Sequence, residues 1–155
     1  MKYFTHPQNL CSFSYSEEWT PTKVVTEGAF FAAQGSGGEL LFEAFALLGP
    51  NQAETIPRIK KALLGSLKSD HPFLSVILTH WPDCDYDCEL TRVAYSEQVA
   101  GRFLKVQTIT DLYVLADGTH ALGLFFKVVK GKHPAMQTAF EQVMRSARIN
   151  PSENW

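Results

Sequence analysis

The segment Arg102–Ile149 constrains the fold more than any other part of the chain. Arg102–Ala116 is rich in β-branched and aromatic residues, which favour strands, and Asp117-Gly118 is a strong signal for a tight hairpin turn. Thr119–Val129 carries apolar residues at both odd and even positions, which point to opposite faces of a strand, so both faces are expected to be covered. From Pro134 onward, apolar residues recur at helical spacing. The segment therefore predicts a β-hairpin followed by an amphipathic helix in which Phe140 faces the core.

The rest of the chain adds further strands and a second amphipathic helix. The helix is expected from about Ala53 to Lys68, and strands are expected at Leu10–Tyr15, Val24–Ala33, Leu40–Leu48, Phe73–His80 and Leu90–Gln98. In Leu40–Leu48, Phe42 and Phe45 point to opposite faces, so a layer should pack on each side of the sheet. The predicted fold class is α+β, a helix–sheet–helix sandwich with a mainly antiparallel central sheet.

Length and composition limit the possible classes of protein. The 155 residues predict a single domain over residues 1–150, with a frayed tail at 151–155. A net charge of −2 gives no basic footprint for nucleic acid, and no apolar run approaches the roughly 20 residues of a membrane helix. Three cysteines fit a reducing compartment, so we expect a cytoplasmic protein, although a processed exported domain would have the same features.

The order of elements resembles the PsbP-like superfamily. The resemblance is carried by "FSYSEEW" (Phe13–Trp19), the hairpin "ADGTHALGLFF" (Ala116–Phe126) and the terminal helix "FEQVMRSARI" (Phe140–Ile149). Members include the extrinsic subunit of photosystem II and bacterial DcrB-like proteins. The resemblance implies an α/β/α sandwich around an antiparallel sheet, and a non-catalytic binding or assembly role. It transfers no functional residue to this chain, because fold alone does not fix function.

The most unusual stretch for chemistry is His80–Glu89, and several interpretations of it stay open. His80, Cys84 and Cys88 are suitable zinc ligands without an evident fourth, and Cys84 and Cys88 could join as a disulfide only across a turn. Three alternating aspartates imitate the start of a calcium loop, but the glycine and final glutamate of an EF-hand are missing. The stretch is also simply an acidic loop between strands, or a loop that binds a partner. The residues expected to bind a partner are Trp81, Asp83, Asp85, Tyr86 and Asp87.

No sequence motif points to catalysis or to a cofactor. The glycine-rich run Gln34–Gly38 leads into a strand instead of a helix, so it fits a hairpin turn better than a phosphate loop. We therefore expect no catalytic residue, no metal and no cofactor, and another protein as the partner, in a binding, assembly or chaperone-type role. The alternatives are a small enzyme whose site is assembled from residues distant in sequence, and a metal-binding protein that uses residues 80–89.

Overall fold

The computed structural model describes residues 1–8, 10–24, 30–35, 40–48, 55–98, 105–117 and 120–149. Within these ranges the chain forms ten strands, two α-helices and a short 3-10 turn at Lys130–Lys132. The helices are α1 (Thr55–Asp70) and α2 (His133–Ser146). The strands are β1 (Lys2–Thr5), β2 (Cys11–Tyr15), β3 (Thr20–Val24), β4 (Phe31–Gln34), β5 (Leu40–Leu48), β6 (Ser75–His80), β7 (Asp87–Gln98), β8 (Lys105–Ala116), β9 (His120–Val129) and β10 (Arg148–Ile149).

The strands form two antiparallel sheets. The larger sheet has the order β3-β4-β5-β9-β8-β7-β6, and the smaller one has the order β1-β2-β10. Nearly all neighbours in the larger sheet are consecutive in sequence, because short hairpins join them; β5 and β9 are the exception. The predicted mainly antiparallel α+β architecture is confirmed.

The predicted hairpin joins β8 and β9 in the register that pairs Ala116 with Ala121. The Asp117 backbone N–H donates to the His120 carbonyl at 3.1 Å, and the Asp117 carboxylate accepts from the His120 N–H at 2.7 Å. An aspartate that accepts from the backbone of the same turn is a common way to stabilise a reversal of the chain.

The main core lies between the large sheet, the small sheet and α2. Phe126 stacks on Phe42 at a ring separation of 4.8 Å and on Phe140 at 4.4 Å, and Trp19 packs beside all three rings. Phe140 is wholly buried while Glu141 is exposed, as the helical spacing predicts. Stacked aromatic side chains provide both buried area and ring–ring attraction, so they fix the position of α2 on the sheet.

Helix α1 lies on the opposite face of the large sheet. A Cβ atom added at Gly123 in β9 would lie 3.5 Å from a Leu63 methyl of α1. Gly123 and Phe126 are three residues apart on one strand, so they face opposite sides. The helix–sheet–helix sandwich is therefore confirmed. None of the side chains 56–70 of α1 is fully buried, so this layer is more open to solvent than the α2 layer.

The terminal helix, expected to reach Ile149, ends at Ser146, and Arg148–Ile149 forms β10 instead. The structure also corrects one predicted strand. Val24–Ala33 was expected to be continuous, but β3 ends at Val24 and β4 begins at Phe31, and these two residues are paired across an antiparallel hairpin. That prediction is wrong because the apolar ends of the segment outweighed the turn signal of Gly28 between them. The predicted tail at 151–155 lies outside the described residues.

Candidate functional site

The structure separates the five predicted partner-binding residues onto two sides of the sheet. Trp81 follows the end of β6 and lines a groove beside α1. Asp85 and Tyr86 instead line a shallow pocket of about 120 Å³ beside the C-terminal end of α2. Asp83 is exposed, and its carbonyl accepts from Arg145 of α2 at 3.0 Å. Asp87 is exposed at the first position of β7. The loop therefore does not present these five side chains as one surface.

Tyr86 has a role within the protein's own fold. Its hydroxyl accepts from the Ile149 N–H at 3.1 Å and lies 3.4 Å from the Ile149 carbonyl oxygen. The ring is half-buried against the core. These bonds attach β10 to the loop that precedes β7. Asp85 is 82% exposed and 3.9 Å from Arg148, a geometry in which an ion pair contributes little.

The cysteines of this loop are free thiols. Cys84 donates to the Tyr86 carbonyl at 3.1 Å, and burial raises the pKa of the Cys88 thiol. Among the described residues, which include His80, Cys84 and Cys88, no three histidine, cysteine or carboxylate side chains come close enough together to hold a metal ion. The zinc and calcium interpretations thus gain no geometric support.

A buried ionic cluster joins β7, β8 and α2. Arg92 donates to the two carboxylate oxygens of Asp111 at 2.7 and 3.2 Å, and His133 Nε2 lies 2.9 Å from the second oxygen. With the Gln137 amide oriented towards the guanidinium, its oxygen accepts from Arg92 at 2.9 and 3.1 Å. Asp111 is 0% exposed. A histidine–carboxylate pair can serve acid–base catalysis, but this one lies under α2 and lines none of the grooves described here. It holds the start of α2 on the sheet.

The largest of these grooves lies on the α1 face and has a volume of about 800 Å³. One wall is α1 and the other is β6 with its flanking residues. The floor includes Glu89 of β7. Most of the lining surface is apolar. The lining residues are Pro57, Lys60, Lys61, Leu64, Gly65, Lys68, Leu74, Val76, Thr79, Trp81 and Glu89.

The β6 wall is an exposed apolar edge of the sheet. All six side chains of β6 are exposed, with Val76 and Ile77 each at 52%, and Trp81 just beyond the strand is 67% exposed. The register shifts between Val76, which pairs with Val93, and Leu78, which pairs with Arg92. This bulge at Ile77 lets both Val76 and Thr79 face α1, although they are three residues apart.

Lysines give the groove a positive rim. Lys60 pairs with Glu89 across the floor. Lys61 and Lys68 make no ion pair with any residue in the described ranges. The groove therefore combines an apolar interior with two cations that have no partner within the described part of the chain.

A second, more polar groove of about 600 Å³ shares Leu74 with the first. It includes His71, which stacks on Tyr95 at 4.0 Å, and the fully projecting ring of Phe73. The Tyr95 hydroxyl bonds Thr110 at 2.9 Å, and burial raises the pKa of Tyr95 to about 12. The stack joins His71, which follows α1, to β7, and the hydrogen bond joins β7 to β8.

Sequence reasoning missed the α1 groove. Trp81 is among the predicted partner contacts, but the sequence pattern of Phe73–His80 predicts a strand without indicating that it lies at the exposed edge of the sheet. One signal was available: Gly65 in the middle of a helix, where glycine is unfavourable.

Comparison with solved structures identifies proteins of the same fold. The chain aligns over 96% of its length with the solution structure of cyanobacterial PsbP (CyanoP) from Synechocystis sp. PCC 6803, with a TM-score of 0.65, 10% identity and 91% of that protein covered. It also aligns over 96% of its length with the Ran-binding protein Mog1p of Saccharomyces cerevisiae, with the same TM-score of 0.65, 5% identity and 95% of Mog1p covered. LpqN of Mycobacterium tuberculosis, involved in cell envelope biogenesis, gives a TM-score of 0.62 at 10% identity, with 97% of this chain and 90% of LpqN covered.

A structure from Bacteroides thetaiotaomicron VPI-5482 aligns with 99% of this chain, with a TM-score of 0.64 and 18% identity. The chain spans about half of that protein, which is twofold longer. No protein-family model and no curated protein matches the sequence. Among the described residues, no helix is long and apolar enough to cross a membrane.

Proposed function

From the PsbP-like fold of this chain and the open groove beside α1, we propose that the protein is a non-catalytic binding module for another protein. The binding surface is the groove between α1 and β6, and Trp81 is its anchor. Asp83 and Asp85 of the loop after Trp81, and Asp87 at the start of β7, stay predicted partner contacts outside the groove lining. A binding or assembly role suits the fold, since Mog1p is a Ran-binding protein and LpqN takes part in cell envelope biogenesis.

The observation that carries this proposal is the apolar edge of the sheet. Val76, Ile77 and Trp81 are each at least half exposed, and all three lie on β6 or directly after it. A protein that folds without a partner usually buries such a run, so a continuous exposed apolar surface marks a place of interaction. Tryptophan is also among the residues that contribute most at protein interfaces, where truncation to alanine often costs about 2 kcal/mol or more.

The thiols support a reducing compartment as part of this proposal. Cys11, Cys84 and Cys88 are all free, and Cys11 and Cys88 are buried. A cytoplasmic location therefore accompanies the proposed function.

The test is site-specific photo-crosslinking in the native host. A photoreactive amino acid is placed at Val76 in the groove, and the matched control carries it at Gln142, an exposed position on α2. We expect a discrete crosslinked protein from position 76 that is absent from position 142 and is lost when Trp81→Ala is added. The identified protein should then form a stoichiometric complex with the purified chain. If position 76 captures nothing, or captures the same proteins as position 142, the proposal is wrong.

A further inference from the structure

We propose that the groove binds an amphipathic α-helix of the partner, with its apolar stripe on Leu64, Val76 and Trp81 and acidic side chains beside Lys61 and Lys68. This inference rests on the proposed function, because it names the chemistry of the segment that the module recognises. Four features of the groove support it: its width, Gly65, the shape of the β6 edge and the charge of its rim.

The groove beside α1 has the width of one helix. On this face α1 packs over β8 and β9, the β7 side chains Glu89, Thr91, Val93 and Tyr95 are buried, and the edge strand β6 is exposed. Strands are spaced about 4.8 Å apart, so β6 lies roughly 12 Å from the midpoint between β8 and β9. Helices packed side by side have axes about 8–10 Å apart. A second helix beside α1 would therefore contact both α1 and the exposed strand β6.

Gly65 has no packing role that the described part of the protein explains. It lies in the interior of α1, on the groove wall, and a Cβ atom added there would meet nothing within 4 Å. Alanine would be the better helix residue at this open position. A glycine on a groove wall does permit close approach of another backbone, which is how small residues act where two helices pack tightly.

The β6 edge is less suited to strand addition. The bulge at Ile77 interrupts the regular register, and such bulges at sheet edges disrupt further pairing. An extended partner segment would therefore lose the continuous ladder of hydrogen bonds that gives strand addition its affinity.

The cations follow the same wall as the glycine. Four residues recur at helical spacing on α1 over twelve residues, a rise of roughly 16 Å: Pro57, Lys61, Leu64 and Lys68. The spacing between Lys61 and Lys68 is two helical turns, so acidic residues two turns apart on a parallel or antiparallel helix would lie beside both. Charge complementarity therefore favours an acidic helix over a basic one.

The binding test uses three fluorescent 18-residue peptides with the same leucine stripe. The first is a stapled helix with glutamate flanks, the second replaces every glutamate by lysine, and the third keeps the glutamates but carries two internal prolines. By fluorescence anisotropy at low salt, we expect the acidic helix to bind at least tenfold tighter than either of the other two. Added salt should reduce its advantage over the basic helix.

The test of the site compares Gly65→Ala and Gly65→Leu with Ser66→Leu, an exposed neighbour that does not line the groove. Gly65→Ala should raise the melting temperature of the free protein by about 2–4 °C because alanine favours the helix. The same substitution should weaken binding of the acidic helix, and Gly65→Leu should weaken it by roughly 5- to 100-fold through overpacking. Ser66→Leu should leave binding unchanged. If Gly65→Ala makes the free protein more stable and at the same time weakens peptide binding, glycine at this position serves binding and not folding.

Several results would overturn the inference. They are equal binding of acidic and basic helices, undiminished binding of the proline peptide, no binding of any peptide, or insensitivity to Gly65→Leu. Co-sedimentation with anionic phosphatidylglycerol vesicles that is abolished by Trp81→Ala would instead assign the groove to a membrane surface. If the peptide tests fail but a photoreactive residue at position 76 still crosslinks a protein, the proposed function stands and only the helix inference is wrong. If the crosslinking at position 76 fails, the proposed function itself is wrong.

Discussion

The buried carboxylate of Asp111 offers the sharpest test of how the fold is held together. Asp111→Ala removes the acceptor of two bonds from Arg92 and the 2.9 Å contact with His133. The Arg92 side chain left behind is 16% exposed, and its guanidinium keeps Gln137 as a neighbour. His133 is the first residue of α2, so the substitution also frees the start of that helix from the sheet.

The expected cost follows from burial. Removing one partner of a buried ion pair leaves an uncompensated charge and costs about 3–5 kcal/mol. Against a typical total stability of about 5–15 kcal/mol, this is a large loss. For a protein of this size it corresponds to a fall of roughly 6–20 °C in melting temperature. The matched control is Asp85→Ala, because Asp85 also lies near an arginine but is 82% exposed at 3.9 Å, and its loss should cost at most about 0.5 kcal/mol.

Urea unfolding followed by circular dichroism measures both variants. A double-mutant cycle with Arg92→Ala should show that the two substitutions together cost less than the sum of each alone, since the second removes the charge that the first leaves unpaired. A cost below about 1 kcal/mol for Asp111→Ala, or a cost equal to that of Asp85→Ala, would refute the argument that this cluster positions α2.

Three further predictions concern the core and its titratable groups. Phe140→Ala should cost about 3–5 kcal/mol in urea unfolding because its ring is wholly buried, whereas Glu141→Ala should stay within about 0.5 kcal/mol; equal effects would contradict the position of α2. Burial raises the pKa of Glu43, so its contribution to stability is present below the unfolded pKa and is lost as the pH rises through the folded pKa. Glu43→Gln should therefore raise the melting temperature at neutral pH, and an equal gain at about pH 4 would count against this cause. Burial also raises the pKa of Cys11 to about 12, so iodoacetamide at mildly alkaline pH should modify Cys11 only after the protein unfolds. Half-buried Cys84 should react in the native protein. Mass spectrometry of the labelled peptides distinguishes the two cysteines.

The candidate site was predictable only in part. Trp81 stands out in the sequence as an aromatic residue at the end of an apolar strand, and it does line the groove. Tyr86, five residues later, looks equally available in the sequence, but its hydroxyl bonds Ile149 at the other end of the chain. The two residues face opposite layers because the loop between them crosses from one side of the sheet to the other. That path depends on where α1 and α2 lie.

Asp111 shows the same dependence on tertiary structure. In the sequence it interrupts the apolar and β-branched run of β8 and resembles a residue that faces water. The register of β7 against β8 brings Arg92 directly opposite Asp111, and the start of α2 brings His133 above it. Neither neighbour is close in sequence, so no local pattern indicates the cluster.

The sequence by itself determined the hairpin at Asp117, the amphipathic helix α2 and a sheet with apolar residues on both faces. These features are local, since turn chemistry and the periods of 2.0 and 3.6 residues act over a few neighbouring positions. Only the tertiary structure decided that α1 covers β8 and β9 but leaves the edge strand β6 exposed. A helix can cover about two strands, and its position on a wider sheet is fixed by contacts such as that of Leu63 with Gly123, which are 60 residues apart in the chain.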